Sequence, residues 1–165
     1  MFSMLALVVT NGSSIPSILI SPINSGWEST KLETVDGYLE CSDFFTLDVA
    51  DWIGQPASDE TVSSFVDSHP ELIGKIKIEG IDEPFVTTRA SIENIAAKYL
   101  SAVAQAGEIY RKIESAKGEG SFITEVSMDE TDSPQTPPEL LVILAALSDQ
   151  GVPAQTIAPD RKSVV

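Results

Sequence analysis

Apolar and polar positions fall into short strand-like runs and longer helical stripes that succeed one another from residue 32 onward. Asp43 precedes Phe44-Phe45-Thr46-Leu47-Asp48-Val49, a run rich enough in apolar side chains to predict a largely buried strand, with Asp48 and Asp51 at or just beyond its end. Before it, Val35, Tyr38 and Leu39 mark a helical face. Pro56 and Ser58-Asp59 signal a turn and a cap, and Val62, Phe65 and Val66 recur at helical spacing until His69-Pro70 closes the segment. Ile76 and Ile78 alternate with Lys75, Lys77 and Glu79, which predicts a strand over residues 73–79, and Phe85-Val86-Thr87-Thr88 reads as a further extended piece. Ser91 can cap a long helix over residues 92–117, along which Ile95, Tyr99, Leu100, Val103, Ala106, Ile109, Tyr110 and Ile113 form one stripe. Gly118-Glu119-Gly120 ends it.

A second strand-like alternation begins at Phe122 and runs directly into four closely spaced carboxylates, Glu125, Asp129, Glu130 and Asp132. Thr136 then serves as an N-cap, Pro137 takes the first helical position, where its missing N–H is harmless, and Glu139 completes a capping box. Residues 140–147 are so apolar that this helix must pack on most of its circumference, and Gly151 suits the left-handed position after its end. Gln155-Thr156-Ile157-Ala158 starts another strand. Strands alternating with helices favour a parallel sheet joined by right-handed crossovers, so the expected fold is α/β: part of a (β/α) barrel of the TIM type, with an open doubly wound sheet as the alternative. No glycine-rich phosphate fingerprint follows any strand, which opposes a nucleotide site of the Rossmann kind.

Composition adds bounds. With 165 residues, 42% hydrophobic and 21% charged, the chain has the material for one domain with a sizeable core. Its net charge of −15 opposes nucleic acid and anionic membrane as partners, because both need clustered Lys and Arg. The single Cys41 excludes an internal disulfide. The apolar start, residues 1–9, has no basic flank and is soon broken by Asn11, Gly12, Ser13 and Ser14, and no apolar run is long enough to span a bilayer, so a soluble, cytoplasmic protein is expected.

The candidate chemistry lies in the carboxylates. Alternation puts Glu125 on the same strand face as Ile123 and Ser127, opposite Phe122, Thr124 and Val126. If that face is a barrel interior, partial desolvation suits the carboxyl group to proton transfer; on an edge strand the same face would meet water. Asp129, Glu130 and Asp132 are either hard oxygen ligands for a divalent cation or a solvated loop that caps the next helix, and their spacing does not meet the calcium-loop pattern. Asp48 and Asp51 share this ambiguity, Asp51-Trp52 being equally able to form a turn and its packing residue. His69, the single histidine, is expected to cap a helix or face solvent. One His and one Cys cannot build a zinc site, and a nucleophilic triad fails for the same reason.

Three ordered stretches resemble the tagaturonate epimerase family. They are Glu33-Thr34-Val35-Asp36 through Cys41-Ser42-Asp43-Phe44-Phe45-Thr46-Leu47-Asp48-Val49-Ala50-Asp51-Trp52-Ile53-Gly54, then residues 122–132 with Ser133-Pro134-Gln135-Thr136-Pro137, and Val152-Pro153-Ala154-Gln155-Thr156-Ile157-Ala158-Pro159. The resemblance covers residues 32–159 and implies a central piece of a metal-dependent (β/α) barrel enzyme of hexuronate catabolism that interconverts D-tagaturonate and D-fructuronate. It implies a sugar acid as substrate and inversion of a carbinol carbon β to the ketone. Retro-aldol cleavage and re-addition, with a divalent cation stabilising the enediolate, and deprotonation followed by reprotonation by two carboxylates are both open routes. On this resemblance Glu125 is the acid/base group, and Asp129, Glu130, Asp48 and Asp51 face the substrate or support the groups that do.

The chain also departs from the family pattern. An Asp-His pair that supplies a base and a metal ligand is expected just before Leu32, where this chain reads Asn24-Ser25-Gly26-Trp27-Glu28-Ser29-Thr30-Lys31, and further metal histidines are expected beyond Pro159. No metal ligand is therefore assigned here, and the family's divalent ion is not expected to be retained. Residues 1–31 are unmatched and are read as a wrong frame or start. Asp160-Arg161-Lys162-Ser163-Val164-Val165 corresponds to GAT CGG AAG AGC GTC GTG followed by TAG, a sequencing adapter read in frame, so residues 160–165 are expected to be an artefactual tail. The expected product is an inactive piece of an epimerase. The alternative from another class is an acidic α/β binding module whose loop from Asp129 to Asp132 holds a cation or a basic partner.

Overall fold

Phe45, Leu47 and Val49 alternate with Phe44, Thr46 and Asp48, and this period of two decides which side of the sheet meets the helices. The computed structural model describes residues 31–78, 83–128 and 134–159. In chain order the elements are β1 (Phe44–Asp48), α1 (Asp59–Ser68), β2 (Gly74–Ile76), β3 (Phe85–Thr87), α2 (Arg89–Lys117), β4 (Ile123–Met128), α3 (Pro137–Asp149) and β5 (Thr156–Pro159), with 3-10 turns at Val35–Gly37, Ala50–Trp52 and Pro70–Leu72. The strands β1, β4 and β5 form a parallel sheet with β4 in the centre. Its register aligns Thr46 with Glu125, and Glu125 with Thr156.

One face of this sheet is the core. Phe45, Leu47, Val49, Val126 and Met128 pack with Tyr99, Val103 and Ile113 of α2 and with Val142, Ile143 and Leu147 of α3. Phe45 meets Phe122 edge to face at 5.8 Å between ring centres, and Tyr110 lies against the same ring at 5.4 Å, which ties the base of the sheet to α2. The opposite face is formed by Phe44, Thr46 and Asp48, by Ile123, Glu125 and Ser127, and by Thr156 and Ala158.

The extended run near residue 75 does not join the parallel sheet. Instead β2 pairs with β3 in a separate antiparallel ribbon, with Lys75 opposite Val86. A central parallel strand is covered on both sides and needs a nearly continuous apolar run, which Gly74-Lys75-Ile76-Lys77 cannot supply. The ribbon leaves Val86 72% exposed. It is pinned by the buried Thr87 hydroxyl, which donates to Leu72 O at 2.5 Å and accepts from Gly74 N at 3.2 Å.

Local signals set the helix ends. The Ser58 side chain accepts from Thr61 N at 3.1 Å at the start of α1. At its end His69 Nδ1 lies 2.9 Å from Phe65 O, so the single imidazole does cap the helix, with its ring stacked 4.4 Å from Phe65 and largely buried. Helix α2 begins earlier than expected: Thr88 is the N-cap, and Ser91 answers it from the third position, Thr88 N donating to Ser91 Oγ at 2.8 Å and Ser91 N to Thr88 Oγ1 at 3.2 Å. At the end of α3, Gly151 has φ 69°, Gly151 N donates to Ser148 O and Val152 N to Leu147 O, both at 3.0 Å, completing a Schellman motif. Where a helical face over Val35, Tyr38 and Leu39 was expected, the chain makes only a short 3-10 turn at Val35–Gly37, held along α2 where Lys112 Nζ reaches Leu32 O at 3.2 Å and Lys117 Nζ reaches Leu39 O at 3.0 Å. No helix among the described residues is long and apolar enough to cross a membrane.

Candidate active site

Parallel strands deliver their C-terminal ends, and the loops that follow them, to one side of the sheet. Glu125 sits in the central strand with its neighbours fixed by register, Thr46 on one side and Thr156 on the other. It is a buried carboxylate, 7% exposed. Thr46 Oγ1 donates to Glu125 Oε1 at 3.0 Å, while Oε2 has no hydrogen bond among the described residues. Thr156 Oγ1 is buried and also lacks a partner among them. A hydroxyl, a carboxylate and a second hydroxyl thus lie in one row across three strands.

The next row along the strands, toward their C-terminal ends, is Asp48, Ser127 and Ala158. Asp48 Oδ1 accepts from Ala50 N at 3.3 Å and so turns the chain into the 3-10 segment after β1. Asp51 is directed elsewhere: its carboxylate lies 2.6 Å from Lys31 Nζ, and the Asp51 hydrogen bond and charge raise the Lys31 pKa. An exposed pair of this kind contributes little to stability. Asp48 and Asp51 share a groove of about 430 Å³ with Lys31, Trp52, Gln55 and Gln105, and Glu125 does not line it. Asp129, Glu130 and Asp132 lie outside the described residues. The end of β4 is tied toward α3 by Gln135 Nε2, which donates to Met128 O at 2.9 Å.

The donor chemistry can be tested against a divalent cation. Carboxylate oxygens suit a hard ion, but they must converge. Among the described residues no three His, Cys, Asp or Glu side chains do so. Glu125 is engaged with Thr46, Asp48 with its own turn and Asp51 with Lys31. The described residues alone therefore do not assemble a divalent centre.

Two further clusters are structural. Glu139, at the N-terminus of α3, receives Lys98 Nζ at 2.8 Å, Tyr99 Oη at 3.0 Å and Thr136 N at 2.7 Å. Burial pushes this carboxyl up, but bonds from Lys98, Thr136 and Tyr99 outweigh it and hold the group below the usual carboxylate range. At the opposite ends of the strands a groove of about 380 Å³ is lined by Tyr110, Glu114, Glu119, Phe122 and Gln155. Burial first, then the hydrogen bond to Glu114, pushes the Tyr110 phenol up to about 12, so it keeps its proton and is no acid/base group near neutrality.

The sequence singles out Glu125 as a candidate but gives no sign of its strand neighbours Thr46 and Thr156. Threonines in strands are ordinary, and only the register reveals that both adjoin the carboxylate.

A family model for tagaturonate epimerase matches residues 39–161. Among solved structures the fold is similar to the fructuronate-tagaturonate epimerase UxaE from Cohnella laeviribosi. The complex with one glycerol has 22% identity and a TM-score of 0.59, that with two glycerols 21% and 0.60, and the native form 19% and 0.55. These matches take in 79%, 79% and 80% of this chain and 29% of each solved chain. At that identity they establish likeness of fold alone. No curated protein matches the chain.

Proposed function

The chain belongs to the tagaturonate epimerase family, and from that premise we propose that it forms one wall of an enzyme that interconverts D-tagaturonate and D-fructuronate, with Glu125 as the proton-transfer group. The observation that carries this reading is the buried carboxylate in the central strand, Glu125, whose Oε1 is anchored by the Thr46 hydroxyl at 3.0 Å. Anchoring one oxygen orients the other, and burial strengthens its interactions with a reacting hydroxyl. The three-stranded sheet is read as a section of a (β/α) barrel whose interior face is the Glu125 row.

The carbon inverted in this reaction carries a hydroxyl and lies β to the ketone, which favours a retro-aldol route. Glu125 Oε2 takes the hydroxyl proton, the bond between the carbinol carbon and its neighbour beside the ketone breaks, and the electron pair moves onto the carbonyl as an enediolate. The aldehyde piece turns over, the enediolate adds to its opposite face, and Glu125 returns the proton to the new alkoxide. Thr46 keeps the carboxylate in one rotamer, so a single oxygen serves both directions. The described carboxylates do not converge on a cation by themselves, and no step is routed through one; a divalent ion used by the family's reaction would need ligands beyond the described residues.

On this reading the chain alone gives no turnover. The test is a hybrid in which residues 32–159 replace the matching part of the Cohnella laeviribosi enzyme, its folding checked by circular dichroism. Incubated with D-fructuronate in D2O, it is expected to yield D-tagaturonate with no deuterium at the inverted carbon by NMR. Deuterium at that carbon would overturn the retro-aldol route, and a folded hybrid with no product would overturn the assignment of function.

A further inference from the structure

Two buried hydroxyls among the described residues lack a hydrogen-bond partner, Thr124 Oγ1 and Thr156 Oγ1, and their surroundings differ. Thr124 lies on the helix side of the sheet in register with Phe45, where no acceptor adjoins it on that strand. Thr156 lies on the other side in register with Glu125, whose Oε2 has no bond among the described residues. A buried donor without an acceptor is costly, and the cost is relieved if another charge state of the neighbour accepts the proton. Thr156 Oγ1 is covered, and the neighbouring side chain on β4 in its register is the Glu125 carboxylate.

We infer that Thr156 is a second positioning residue for Glu125, its hydroxyl turning about the Cα–Cβ bond to donate to the ionised carboxylate opposite the Thr46 bond. The ionised group then holds two hydroxyl donors in a buried site, and on protonation it releases the one from Thr156. In the reaction this stabilises Glu125 as a base and frees Oε2 as it becomes the acid. The catalytic consequence rests on the proposed role of Glu125, whereas the contact itself does not. Of the ionisable side chains on the described face, Asp48, one row away on β1, is the other that faces Glu125; β5 brings none.

The contact can be read in the intact chain without turnover. The Glu125 carboxyl carbon is followed by NMR across pH, assigned with Glu125→Gln, together with the Thr156 methyl resonance. The methyl signal is expected to move with the same midpoint as Glu125. Thr156→Val is expected to displace that midpoint measurably, since a hydrogen bond to the charged form is lost, and Thr156→Ser to restore it. A Thr156 methyl signal that ignores the Glu125 titration, or a Val variant with an unchanged midpoint, overturns the inference. A confirmed contact in a chain whose hybrid shows no epimerisation would overturn the functional reading and leave this one standing.

Discussion

At the residue scale the decisive feature is how the buried Glu125 carboxylate is held. Alternation placed Glu125 with Ser127, away from Thr124 and Val126, and the structure keeps that division, while the family resemblance is what singled the residue out. Its partner could not be found that way, because Thr46 lies 79 residues earlier and only strand pairing brings the two side chains together. Losing this anchor should cost orientation more than substrate affinity. Thr46→Val in the hybrid is expected to lower kcat about tenfold with KM little changed, since a lost hydrogen bond to a charged group is worth roughly 1.5 kcal/mol or more. Steady-state kinetics check this, and a change confined to KM would assign Thr46 to substrate binding instead.

At the element scale most helix ends were legible, whereas the start of α2 at Thr88 and the ribbon were not. Caps such as Ser58, Thr136 and Gly151 act over three or four residues, so the local sequence contains the whole signal. The pairing of β2 with β3 depends on what each strand can bury, and alternation alone does not distinguish a ribbon from a member of the main sheet. The contact of Lys98 and Tyr99 with Glu139 was likewise beyond local reading, although Glu139 itself was not. This cluster latches α2 to α3 and carries a pH signature. The folded value of Glu139 lies below its ordinary 4.5, so the unfolded chain binds the proton more readily. Its contribution is fully present above about pH 4.5 and is lost as pH falls through the folded value. Glu139→Gln is expected to lower stability at pH 7 by about 1–2 kcal/mol and to flatten the acid-side loss, measured by urea unfolding between pH 3 and 7. Leu147→Ala, which empties a fully buried position where α3 meets the core, should cost more, about 2–5 kcal/mol in the same assay.

At the scale of the whole molecule, charge and exposed sheet surface oppose each other. The strands β1 and β5 are the outer members of the three-stranded sheet, and Phe44 and Ile123, paired in register, remain 40% and 48% exposed. Such edges and apolar patches promote association, whereas a net charge of −15 resists it. Self-association in sedimentation velocity is therefore expected to increase when salt screens the charge, and to fall in Phe44→Lys with Ile123→Lys; a monomer at every salt concentration would favour an autonomous module over a barrel section. The alternation of strands and helices conveyed the α/β class, because burial of a two-sided sheet imposes it on the sequence. It did not convey which strands pair, since that is decided by contacts distant in the chain. The most direct test of the central claim is kcat of the hybrid carrying Glu125→Gln. A fall of about 100-fold or more, in a folded protein with little change in KM, is the predicted result for the loss of a proton-transfer group, and epimerisation at the unsubstituted rate would contradict it.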